Sequence, residues 1–90
     1  MSSQRLRTVW FNLEFEADLK RLVGPDARRA DEFVDGAVEV LCREPLAGTQ
    51  LDQGSVIWFL PIADFSGLPR VWLYYTFDDN NVIFLRLRAA

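Results

Sequence analysis

Three arginines, Arg70, Arg86 and Arg88, stand in the closing apolar segment RVWLYYTFDDNNVIFLRLRAA, interleaved with Trp72 and Tyr74. A guanidinium holds its charge at any physiological pH, presents five N–H donors in a planar fork and stacks on aromatic rings. Arginine beside aromatics therefore suits two tasks, gripping a phosphate or carboxylate and anchoring a protein interface. It does not suit general-base catalysis at neutral pH, because no arginine has a pKa near that range. The plainer alternative is a half-exposed sheet face on which arginine stems cover Trp72 and Tyr74 while their heads sit in water, with cation–π contacts of about 0.5–1 kcal/mol.

Which face the arginines share depends on strand register. Alternation places Val71, Leu73, Tyr75 and Phe77 on one side of a strand and Arg70, Trp72, Tyr74 and Thr76 on the other. A two- or four-residue turn pairing Phe77 with Val82 would set Arg86 beside Leu73 on the core side, where an unpaired guanidinium costs several kcal/mol. A three- or five-residue turn removes the conflict. That register predicts Leu73, Tyr75, Ile83, Leu85 and Leu87 facing inward. It gathers Arg70, Trp72, Tyr74, Phe84, Arg86 and Arg88 on the opposite face.

The elements that must position this hairpin are readable from periodicity. TVWF at residues 8 to 11 has the β-branched and aromatic composition of a short strand. Asn12 is placed to cap a first helix whose apolar positions are Phe15, Leu19, Leu22 and Val23, with Gly24-Pro25 as its stop. A second helix runs from about Asp26 to Arg43, with Ala30, Phe33, Val34, Ala37, Val38 and Leu41 forming one stripe. REPLAGTQLDQG then reads as a surface connection, and DFSGLPR and DDNN as turns between strands at 55–62, 71–77 and 82–87. The expected fold is α+β in a single domain over 1–90: an N-terminal strand, a helical hairpin, then three antiparallel strands, with the helices on one sheet face.

Composition bounds the function. The chain has 90 residues, half of them apolar and about a quarter charged, as an ordinary globular domain does. Cys42 is the sole cysteine and there is no histidine, so the chain alone forms no disulfide and no Cys/His metal site, and no cofactor is implied. MSSQRLRTVW lacks the apolar run of a signal peptide, and VIWFLPIA at 56–63 is too short to span a bilayer, so no membrane association and a cytoplasmic location are expected. The net charge of −3 disfavours general nucleic-acid binding. Residues 70 to 90 are nevertheless locally basic, with three arginines against Asp78 and Asp79.

The strand, the helical hairpin, the P-x-x-G of Pro45 to Gly48, and R-V-W-L-Y-Y-T-F followed by V-I-F-L-R-L-R together resemble the RelE/ParE superfamily of toxins from toxin–antitoxin pairs. Arg70 matches the family's arginine that opens an R-hydrophobic-hydrophobic-Y element, and Leu85 to Leu87 is similar to the L-R-I of the ParE branch. The resemblance implies a toxin neutralised by a cognate antitoxin. One branch binds DNA gyrase; the other is a ribosome-dependent messenger RNA endoribonuclease. Cutting RNA needs an activator for the 2′-hydroxyl, an acid for the leaving oxygen and cations for the phosphate. SVIWFLPIA carries none of the lysines that RNA-cleaving members place there, no histidine is present, and the chain ends at Ala90 without the terminal catalytic tyrosine. Tyr74 is the one remaining acid candidate, and strand tyrosines more often pack.

The expected function is therefore a toxin that binds its target, such as gyrase, through Arg70, Trp72, Tyr74, Arg86 and Arg88, with no catalytic residue assigned. The alternatives are the ribosome-dependent endoribonuclease and a non-toxic interaction domain that has lost activity. A homodimer is compatible with each.

Other groupings fit structure better than chemistry. Asp31, Asp35 and Glu39 recur every four residues beside Arg28, Arg29 and Arg43, as a solvated helix face does. Glu14 and Asp18 are expected on the exposed face of the first helix. Cys42 is expected to be buried and inert. Trp58 and Phe59 fall on opposite faces of one strand, so at least one should meet an interface or a cover.

Overall fold

The computed structural model describes residues 7–62 and 70–89. Its elements are strand β1 (Thr8–Phe11), helices α1 (Leu13–Val23) and α2 (Ala27–Arg43), a 3₁₀ turn (Pro45–Ala47), and strands β2 (Thr49–Gln50), β3 (Trp58–Ile62), β4 (Val71–Phe77) and β5 (Asn81–Ala89). The strands form one five-stranded sheet in the order β1-β5-β4-β3-β2. The expected α+β layout is present, with two additions. Gln50 and Thr49 pair with β3 inside what reads as a surface connection, and β1 runs parallel to β5 while the other neighbours are antiparallel. Most of the expected DFSGLPR turn lies outside the described residues.

Both helices pack on one face. Phe15 from α1 and Phe33, Ala37 and Leu41 from α2 meet Val71, Leu73 and Tyr75 of β4 and Val82, Phe84 and Leu87 of β5. The helix boundaries follow local chemistry. Gly24 takes φ of +75°, which a side chain would resist, and its N–H bonds the Lys20 carbonyl at 2.9 Å. The Asp26 carboxylate caps α2 by accepting the Arg29 N–H at 3.2 Å. Asn12 occupies the cap position of α1 without a side-chain bond. Asp31, Asp35 and Glu39 are exposed, and Glu39 pairs with Arg43 at 3.5 Å, as a solvated face should.

The β4–β5 turn corrects the expected register. The loop is the four-residue one, closed by Phe77 opposite Val82, with the Asp78 carboxylate accepting the Asn80 and Asn81 N–H groups at 2.8 and 2.7 Å. The conflict over Arg86 is resolved farther along the strand. Tyr75 pairs with Phe84 but Tyr74 pairs with Arg86, so Leu85 is the extra residue of a β-bulge. Before the bulge Val82 and Phe84 point inward, and after it Leu87 does. Phe84, expected on the outer face, is wholly buried; Ile83 and Leu85, expected inside, are only half-buried.

The connection after α2 is held from within the core. Tyr75 is fully buried, its hydroxyl donates to the Pro45 carbonyl, and it accepts the Gly48 N–H at 3.1 Å. A Cβ at Gly48 would lie 2.5 Å from both the Phe59 carbonyl oxygen and this hydroxyl, so the P-x-x-G glycine is required for close approach. Tyr75→Phe leaves a buried carbonyl and N–H without their partner. It should cost about 2 kcal/mol in urea unfolding, with the core otherwise unchanged.

Candidate functional site

The sheet face away from the helices carries an aromatic row that spans β3 and β4 and meets Arg88 of β5. Register sets Phe59 opposite Tyr74, Pro61 opposite Trp72 and Trp72 opposite Arg88, and directly opposed residues share a face. The Phe59 ring stacks on Trp72 with centroids 5.2 Å apart and planes 21° apart, and lies tilted 6.2 Å from Tyr74. Trp72 remains 40% exposed. A half-open aromatic row beside the exposed Arg88 can stack on a planar or aliphatic group and hold an anion nearby. Trp58, by contrast, faces inward and packs on the core, so the two neighbours do divide between the faces as expected.

The five expected contact residues are not all brought together. Trp72, Tyr74 and Arg88 lie on this face, joined by Phe59. Arg70 is exposed just ahead of β4. Arg86, although opposite Tyr74, turns its guanidinium to α1, where Nε lies 2.8 Å from Asp18 Oδ2 and the terminal nitrogen 3.2 Å from Oδ1. It is thus committed to an ion pair and is not a free cation of the aromatic row.

Asp18 is the residue that the sequence reading misplaces. Expected on a solvated face, it is 1% exposed. Its carboxylate also accepts the backbone N–H of Leu87 at 3.0 Å and a bond from Arg21. The reason lies at the sheet edge. β1 pairs with β5 only as far as Phe84, so among the described residues the following stretch of β5 has no neighbouring strand on that side, and Asp18 substitutes for one at Leu87. The bond from Arg86, with those of Leu87 and Arg21, brings its pKa to about 2 despite burial, which acts in the opposite direction. The signal was available. Asp18 stands three residues after Phe15 and four before Leu22, in the middle of the apolar stripe of α1, where a solvated acid would not sit.

Beside this ion pair lies an open cleft of about 280 Å³, lined by Arg21, Leu22, Arg86, Leu87, Arg88 and Ala89. The chain's lone lysine, Lys20, is elsewhere on α1, and the Cys42 thiol is buried, which raises its pKa. No described helix is long and apolar enough to cross a membrane.

This architecture, two helices on one face of a sheet ending in an arginine-bearing hairpin, is the RelE/ParE-like toxin fold. In particular, the structure matches that of a YoeB/ParE toxin from Agrobacterium tumefaciens with a TM-score of 0.58, covering 92% of this chain and 98% of that one at 15% identity. No family model and no curated protein matches the sequence.

Proposed function

We propose that this protein is the toxin of a toxin–antitoxin pair and acts in the cytoplasm by binding a cellular protein through the Phe59, Trp72, Tyr74 and Arg88 face. A cognate antitoxin neutralises it. The observation that carries this reading is the half-open aromatic row beside Arg88, on a sheet face that the helices leave uncovered, in a chain with the toxin fold. Arg70 contributes from the start of β4, and Arg86 acts by holding the strand in place. Binding is favoured over RNA cleavage because the face offers stacking and charge but neither lysine nor histidine. DNA gyrase is the target to test first.

Induced alone in a bacterial host, the protein should arrest growth. Trp72→Ala combined with Arg88→Ala, both at exposed positions, should restore growth while leaving the melting temperature within a few degrees of the parent. Loss of supercoiling activity by purified gyrase on adding the protein would identify that target. Normal growth with soluble wild-type protein would refute the toxin reading, and codon-aligned cuts in translated messages would replace binding by RNA cleavage.

A further inference from the structure

The cleft at the end of β5 shares Arg88 with the aromatic row but is otherwise lined by different residues, from the end of α1 and the end of β5. Three arginines line it, Arg21, Arg86 and Arg88, and the carboxylate that pairs with two of them, that of Asp18, is buried. Asp18 engages one terminal nitrogen of Arg21 and the Nε and one terminal nitrogen of Arg86. The remaining guanidinium N–H groups of these two, and those of Arg88, make no bond to a protein acceptor among the described residues. Glu14 attracts Arg86 through space only, and the cleft keeps an excess of positive charge. Because Asp18 accepts the Leu87 N–H, that group points away from β4, and strand alternation aims the N–H of Ala89 to the same side.

Two of the three arginines are thus fixed in place by a buried acid, and each keeps further donors that Asp18 does not engage. Arginine forks match the tetrahedral oxygens of phosphate, and a dianion balances two uncompensated guanidiniums. We propose that this cleft, between the last turns of α1 and the end of β5, is a binding site for a dianionic phosphate group. The group is either free phosphate or the monoester of a small metabolite.

The test is an NMR titration of the ¹⁵N-labelled full chain at constant ionic strength, with inorganic phosphate, glycerol phosphate and acetate as separate probes. Phosphate should move the Nε–H signals of Arg21, Arg86 and Arg88 and the amide of Ala89 together and to saturation. Tighter binding of glycerol phosphate would assign the monoester, and tighter binding of inorganic phosphate the free ion. Arg21→Ala and Arg88→Ala should each weaken binding roughly tenfold, the usual effect of losing one charge-assisted hydrogen bond. Both side chains are exposed, and an unchanged melting temperature will separate lost binding from lost folding. Shifts that do not saturate, that persist when Arg21→Ala and Arg88→Ala are combined, or that acetate reproduces at equal concentration would overturn the proposal.

Discussion

Asp18→Ala is expected to destabilise the protein by about 3 kcal/mol, the range seen when one member of a buried charge pair is removed. The change leaves the Leu87 N–H without an acceptor in a stretch of β5 that lacks a neighbouring strand, and strips Arg86 and Arg21 of their shared counter-ion. Arg21→Ala should cost far less, because that side chain is 65% exposed and Asp18 keeps its other donors. Urea unfolding of the two variants measures the difference directly. The pH dependence follows the same carboxylate. Its folded pKa, about 2, lies below the value near 3.8 of a free aspartate, so the unfolded chain takes up the proton first. The stabilisation is complete above about pH 4 and is lost as the pH falls through about 2. Asp18→Asn should remove this part of the acid transition, and an unaltered acid midpoint would show that Asp18 is not its source.

Phe84→Ala should be more damaging still, at about 4 kcal/mol, while Leu85→Ala should cost about 1 kcal/mol. The adjacent pair tests the bulge. Phe84 is fully buried, with ring centroids 5.3 Å from Phe15 and 5.4 Å from Phe11 in edge-on contacts, whereas Leu85 is the unpaired residue and only half-buried. An unbulged strand with an odd-length turn would reverse the order of the two losses. Chemical denaturation of both variants under one condition decides it.

These two experiments fall where the sequence was hardest to read. α2 is legible because Phe33, Ala37 and Leu41 repeat on one face with nothing to interrupt them, and β4 because strict alternation separates Leu73 and Tyr75 from Trp72 and Tyr74. In β5 alternation holds only as far as Phe84. A bulge inserts one residue, so a rule of period two assigns every residue on one side of it to the wrong face. The conflict over Arg86 was a true signal, since one register for the whole hairpin would bury it, but the remedy lies at Leu85 and not in the turn. β2 has only two residues, too few to show a period. The parallel pairing of β1 with β5 joins the two ends of the chain and has no local signature. The shared face of Trp72, Tyr74 and Arg88 is legible because it depends on β4 and on the part of β5 where the bulge restores the expected pairing. The partner of Arg86 is not, because the charge of Asp18 points to solvent and only its place in the stripe of α1 points inward.

The pairing of β1 with β5 has a consequence for the order in which the molecule can assemble. Among the described residues β1 has β5 as its one neighbour in the sheet, and Asp18 and Arg86 are 68 residues apart in sequence. During synthesis β1 and α1 leave the ribosome before β5, the strand that pairs with one and packs on the other. Closing so long a loop carries its entropic cost before any of these contacts can form. Asp18 therefore remains hydrated, and Phe15 uncovered, until β5 is free of the exit tunnel.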